Sequence, residues 1–233
     1  MNVIEIFSSI EGEGSRQGFL ATFVRLYDCN VRCSYCDTTY SYGPDADFES
    51  LPIEALADRI EEEGNPRVTI TGGEPLLQEG DLWALIDELN RRSALEQGLE
   101  PWSPEANADV SLYEFNIETN GTLVPKTRRS NTFFTFDYKG PSSLVEDQMD
   151  MAIVDLMTDY DLFKFVVGSQ EDLDAMRRIL TDYEIPAQIY VSPIWGQIDA
   201  KTIVDYLKAY NFQEVRLQLQ IHKFIWDPDA KGV

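Results

Sequence analysis

Hydrophobic positions along the chain follow two rhythms. Apolar and polar residues alternate over 3–7, 21–26, 67–71, 112–118, 133–138, 162–167, 188–192 and 215–219, which predicts eight strands. Between strands, Ile53, Leu56, Ala57 and Ile60 keep the spacing of one helix face, with Pro52 placed at the first turn, and Leu82, Leu85, Ile86 and Leu89 repeat the pattern. Further helices are expected over 171–182 and 199–210. Residues 97–109, rich in Pro and acidic side chains, read as a loop-like insertion, and the links after Glu118 and Tyr138 are too irregular for full crossover helices. Strands alternating with helices imply an α/β fold with a parallel sheet, here an incomplete β/α barrel with a reduced set of helices. Residues 1–233 are expected to form one domain.

Composition narrows the class. The chain is 43% hydrophobic, as globular proteins are, and no run approaches the ~18 apolar residues that span a bilayer. The start MNVIEIFSSI lacks the basic region and apolar core of a secretory leader, so a cytoplasmic location without membrane partners is expected. Nineteen Lys and Arg against 41 Asp and Glu give a formal charge of −22, which repels a phosphate backbone and argues against nucleic-acid partners.

Candidate chemistry gathers where strands are expected to end. CNVRCSYCDT follows VRL, TGGEP ends RVTI, ETNG ends YEFNI, YKG ends FFTFD, and SPIWG ends QIYV. Parallel αβ folds place their sites at the carboxyl ends of strands, so these distant motifs can share one rim.

All three cysteines, Cys29, Cys33 and Cys36, lie within eight residues at spacing C-x3-C-x2-C. In a reducing compartment that spacing favours metal over a disulfide. A closed zinc site needs four ligands, and the sole histidine, His222, is remote in sequence. Three thiolates suit three corners of a [4Fe-4S] cluster, leaving one iron open. With Tyr35 before the last cysteine, the spacing resembles the signature of the radical S-adenosylmethionine (SAM) superfamily, in which the open iron chelates the SAM amine and carboxylate. TGGEP resembles its second motif: Gly72 and Gly73 would let backbone carbonyls meet the SAM ammonium, and Glu74 would add complementary charge.

The order of Ser9-Ile-Glu-Gly-Glu-Gly14, FVRL, CDT, TGGEP, ETNG and Gln220-Ile-His-Lys223 is similar to the 7-carboxy-7-deazaguanine synthase family across almost the whole chain. The resemblance implies a radical SAM lyase that rearranges 6-carboxy-5,6,7,8-tetrahydropterin to 7-carboxy-7-deazaguanine with loss of ammonia, on a route to queuosine and other deazapurines. It implies one-electron reduction of SAM to a 5′-deoxyadenosyl radical, hydrogen abstraction from C6 of the pterin, and regeneration of SAM. No side chain is assigned an acid–base or covalent role, because the hard chemistry belongs to the cofactor.

By the same resemblance, Thr38 gives a hydroxyl to Mg2+, a hard cation that prefers oxygen ligands. Glu118 accepts hydrogen bonds from the guanidine-like pterin edge, and Arg25 grips the carboxylate in a bidentate contact. Glu11, Glu13, Thr71, Gly73 and His222 fall on further substrate-contact positions; Lys139, Ser192 and Gln220 fall on the SAM side. The family also implies a homodimer and an electron donor such as a flavodoxin or ferredoxin. Three features depart from the family pattern. Glu11 stands where many members have Gln, YKG stands where SPK is expected, and the chain runs past Pro228, near which some members end and use their terminal carboxylate. Two other functions fit parts of the pattern: a radical SAM activating enzyme for a glycyl-radical partner, which leaves CDT and QIHK unexplained, and a noncatalytic zinc module.

Overall fold

The structure, a computed structural model, describes residues 1–233. The chain opens with β1 (Asn2–Ile10) and β2 (Leu20–Leu26), and β3 (Glu49–Ser50) pairs with β1. Then come β4 (Arg67–Gly72), β5 (Glu114–Thr119), β6 (Thr132–Tyr138), β7 (Leu162–Val167), β8 (Gln188–Pro193) and β9 (Val215–Leu217). They form one nine-stranded sheet in the order β3-β1-β2-β4-β5-β6-β7-β8-β9. From β2 onward every neighbouring pair is parallel.

The expected parallel sheet therefore carries an antiparallel edge: β1 pairs antiparallel with both β2 and β3. Only residues 11–19 separate β1 from β2, too few for the crossover that a parallel pair requires. The sheet is not closed by pairing, since β3 and β9 are its ends. The 11–19 loop instead crosses to the segment after β9, where Ile221 N–H donates to Gly12 O at 3.1 Å and Gln17 Nε2 donates to Leu219 O at 2.7 Å.

Side-chain alternation divides the strands into two faces. Val68, Ile70, Phe115, Ile117, Phe134, Phe136, Phe163, Phe165 and Val191 point outward into a core shared with the helices. On the intervening positions Thr69, Thr71, Asn116, Glu118, Thr135, Asp137 and Lys164 face the lumen. The outer layer comprises α1 (Ile53–Glu63), α2 (Glu79–Glu96), α4 (Gln170–Asp182) and α5 (Ala200–Ala209). Helix α1 buries Leu56, Ala57 and Ile60 and ends at Gly64 in the left-handed conformation. Each large aliphatic side chain so buried stabilises the fold by about 1.5–3 kcal/mol.

The 97–109 segment is not wholly irregular, because α3 (Pro104–Val110) occupies its second half. Ser103 Oγ accepts the Ala106 N–H at 3.2 Å and Pro104 stands at the first helical position, a start signal written in the sequence. The links after β5 and β6 lack α-helices, as the pattern indicated, and the second contains three short 3-10 turns. The chain ends beyond α6 (His222–Ile225).

Candidate active site

One cleft of ≈ 520 Å3 opens at the carboxyl ends of the parallel strands and descends into the lumen. Its walls bring together Cys29, Cys33, Cys36, Thr38, Glu11, Glu13, Arg25, Thr71, Gly72, Gly73, Glu118, Lys139, Gln220 and His222, fourteen of the sixteen residues marked in the sequence. Glu74 and Ser192 are not on it.

Glu74 lies behind the cleft wall. Its side chain is fully buried, and its oxygens accept from Leu76 N–H at 2.9 Å, Thr119 hydroxyl at 2.9 Å and Asn120 N–H at 2.7 Å. The carboxylate braces the end of β4 against the end of β5. Burial pushes its pKa up against these three donors. Ser192 is 1% exposed and donates to Glu13 Oε1 at 3.0 Å, so it orients a cleft residue from behind.

The glycines serve a contact the sequence did not reveal. A Cβ on Gly73 would sit 1.7 Å from Asp28 O, and one on Gly72, at φ +134°, would sit 2.3 Å from Leu26 N. They let the start of the cysteine loop press on the end of β4, where Glu74 N–H donates to Asp28 O at 2.8 Å. The far side of that loop docks through Ser34 N–H on Ser143 O at 3.0 Å.

The donor set fits an iron–sulfur cluster better than a single ion. All three thiols are free and half-buried, and no three His, Cys, Asp or Glu side chains converge closely enough to hold one metal ion. Zinc bonds of about 2.3 Å would draw sulfurs to about 3.8 Å of each other. A cluster spreads its cysteines over separate irons. Burial pushes the Cys29 and Cys33 thiols up, so binding must release their protons. Beside them the Tyr35 hydroxyl is buried with no hydrogen-bond partner and is pushed up to about 12, chiefly by burial.

In the lumen Arg25 Nε donates to Glu5 Oε1 at 2.7 Å, and Glu5 also takes the Tyr40 hydroxyl at 2.7 Å. The two terminal nitrogens of Arg25 keep no protein partner and line the cleft. Burial lowers the Arg25 pKa, but Tyr40, Glu5 and Glu118 outweigh it and the guanidinium stays charged. Glu118 is pushed up to about 7 by burial, aided by Glu11 and Asp137 and opposed by Lys164 and Thr71.

Sequence reasoning missed two cations. Lys164 is 5% exposed and lies 3.0 Å from both Glu13 Oε2 and Asp137 Oδ1, while Lys139 Nζ reaches Asp137 Oδ2 at 3.1 Å. Burial raises the Asp137 pKa, yet Lys139 and Lys164 hold it below the usual carboxylate value. The clue was a lysine inside the otherwise apolar strand LFKFVV. Arg16, 6% exposed, donates to Glu11 Oε1 at 2.6 Å and to Thr69 Oγ1 at 2.7 Å. The carboxylate that stands in place of the family's amide thus has its own counterion, and only one of its oxygens is left uncommitted.

The motifs that made the resemblance specific meet in space. Lys223 Nζ, from QIHK, contacts Asp37 Oδ2, from CDT, at 3.2 Å. His222 stands against the GEG loop, where a Cβ on Gly12 would fall 1.9 Å from its Nδ1. Burial lowers the His222 pKa, with Lys223 and Lys164 assisting and Glu13 and Asp37 opposing. Residues 228–233 fold back to line the same cleft, placing Lys231 Nζ 4.0 Å from the centre of the Tyr40 ring.

Known proteins resemble this chain. The radical SAM superfamily profile matches residues 24–150. A Clostridium acetobutylicum protein named 7-carboxy-7-deazaguanine synthase is 38% identical over 99% of this chain and 98% of its own length. A Methanospirillum hungatei protein of the same name is 34% identical over 98% of this chain and 86% of its own. The crystal structure of QueE from Escherichia coli superposes with a TM-score of 0.65 at 23% identity, covering 94% of this chain and 93% of that one, and so shares the fold. The profile covers more than half of the chain and the relatives are more than 30% identical over nearly its full length: the chain belongs to the radical SAM superfamily and, within it, to the 7-carboxy-7-deazaguanine synthase family.

Proposed function

We propose that this protein converts 6-carboxy-5,6,7,8-tetrahydropterin to 7-carboxy-7-deazaguanine with release of ammonia, as a radical SAM lyase of 7-deazapurine biosynthesis. The observation that carries the reading is a single cleft lined by Arg25, whose terminal nitrogens make no protein hydrogen bond, by Glu118, an acceptor for a guanidine-like edge, and by the three thiols. Cys29, Cys33 and Cys36 would hold the [4Fe-4S] cluster, and Gly72, Gly73, Lys139 and Gln220, on the walls of the same cleft, would contact SAM. When bound, the cluster and SAM supply a carbon radical that abstracts hydrogen. The residues of the chain hold the pterin still and exclude water.

Thr38, whose Oγ1 lies 3.6 Å from Cys36 Sγ, lines the cleft and would be the protein's ligand for Mg2+. Family membership supports a homodimer, a flavodoxin or ferredoxin as reductant, and one domain over residues 1–233. No helix is long and apolar enough to cross a membrane. The decisive experiment is anaerobic cluster reconstitution followed by incubation with SAM, reductant, Mg2+ and the carboxytetrahydropterin. Deazaguanine formation is the expected result. SAM cleavage without that product would favour an activating enzyme, and absence of any cluster would end both radical readings.

Glu118 sets a pH dependence. As a carboxylate it accepts pterin N–H groups through both oxygens; protonated, it loses its charge and turns one of those acceptors into a donor. With its pKa at about 7, substrate KM should fall as pH rises toward 7, by up to about tenfold per unit, and then level. Glu118→Gln should flatten this profile and raise KM by about 10- to 100-fold, since hydrogen bonds to charged groups contribute about 1.5–3 kcal/mol. An unchanged profile in the variant would remove Glu118 from substrate recognition.

A further inference from the structure

Asn120, the third residue of ETNG, directly follows β5 and is 6% exposed. Its Nδ2 lies 3.6 Å from Cys29 Sγ and 3.0 Å from Asn30 Oδ1. Neither the substrate cleft's carboxylates nor the magnesium position accounts for that contact.

The surrounding hydrogen bonds fix which end of the amide faces the sulfur. Thr122 N–H, which can only donate, gives to Asn120 Oδ1 at 3.0 Å, so the other end must be the NH2 group. Three side chains then close a ring. Asn120 Nδ2 donates to Asn30 Oδ1, Asn30 Nδ2 donates to Thr122 Oγ1 at 2.7 Å, and Thr122 Oγ1 donates to Asn120 Oδ1 at 2.6 Å. One amide hydrogen of Asn120 is spent inside the ring, and the second is left for Cys29. Behind the ring the buried Glu74 carboxylate holds Asn120 N–H at 2.7 Å. Both ends of the residue are thus clamped before any cofactor arrives.

We propose that Asn120 is a positioning residue that tunes the cluster: its amide donates a hydrogen bond to the Cys29 thiolate and raises the reduction potential of the [4Fe-4S] centre. The proposal rests on the radical SAM reading of the cysteines. Reduction adds one electron and one negative charge, and a donor aimed at a ligand sulfur stabilises the more negative state. In a protein of net charge −22, whose field opposes adding an electron, such a donor brings the couple toward the reach of a low-potential one-electron carrier.

The test is a mediated redox titration of the reconstituted protein, read by electron paramagnetic resonance of the reduced cluster. Asn120→Ala removes the donor, and the reduced fraction at a fixed potential should fall about tenfold, a negative shift of about 59 mV for one electron. Asn120→Asp keeps the side-chain shape and the bond from Thr122 N–H but puts a carboxylate oxygen against the sulfur, so its shift should be larger. Thr122→Val opens the ring while leaving the amide oriented by the Thr122 backbone, and its shift should be the smallest. Wild-type potentials in loaded Asn120→Ala and Asn120→Asp would overturn the proposal. If the alanine variant does not load, the near-isosteric aspartate variant decides alone. A wild-type protein that binds no cluster would instead refute the radical reading.

Discussion

Gly73→Ala is expected to reduce cluster content and to lower SAM cleavage by about 100-fold or more. The added methyl would stand 1.7 Å from Asp28 O, 2.3 Å from Asp28 C and 2.9 Å from Cys29 N, all of them backbone atoms. No side chain can swing aside to admit it. The peptide entering the first cysteine must move, and with it the Glu74 N–H to Asp28 O bond that seats the loop on β4. A displacement of about 1 Å at a reacting centre suffices to cost about 100-fold in rate. Gly64→Ala supplies the contrast. That glycine has φ +72° with nothing within 4 Å, so alanine there should cost about 1 kcal/mol in stability and leave chemistry untouched. Iron analysis and 5′-deoxyadenosine release measure both variants. Normal iron content and rate in Gly73→Ala would show that the loop does not depend on its seat.

The contrast between these glycines also marks what a linear sequence can convey. Alternation placed the strands because the outward residues must enter an apolar core, and the motifs at their ends announced a shared rim. Direction within the rim was not legible. Glu74 looked like a charge for a ligand, yet three donors from its own chain claim it, and Ser192 likewise turns to Glu13. A sequence states that a carboxylate is present; only the fold states whose hydrogen bonds reach it first. Lys164 was hidden for the opposite reason. A cation amid LFKFV looks like an interruption of a strand until Asp137 on β6 and Glu13 on the crossing loop are seen on either side. The antiparallel edge followed from a nine-residue link too short for a crossover, and α3 from a Ser-Pro cap, so both signals were present on the page of the sequence.

Lys164→Met should destabilise the protein by about 3–5 kcal/mol near pH 8, because removing one partner strands buried opposite charges. In a chain of this size that is a fall in Tm of roughly 6–20 °C. The carboxylates left without their shared cation are Glu13 and Asp137 in contact and Glu118 through its field, with Lys139 still beside Asp137. The sign of the pH dependence follows from each partner. Burial lowers the Lys164 pKa, but Asp137, Glu13 and Glu118 raise it well above its ordinary value. Its contribution is therefore fully present below the unfolded lysine pKa and is lost only as pH rises through the higher folded one. The Asp137 pKa is depressed, so its contribution holds above the unfolded carboxylate value and fades as pH falls through the folded one. In Lys164→Met the buried Glu118, already pushed up to about 7 and no longer opposed by Lys164, can relieve the repulsion by taking up a proton, an escape that mild acid favours. The loss measured by denaturant unfolding should therefore be clearly smaller at pH 5 than at pH 8. An equal loss at both values would mean that Lys164 matters for its packed methylenes, and that the lumen tolerates its carboxylates without it.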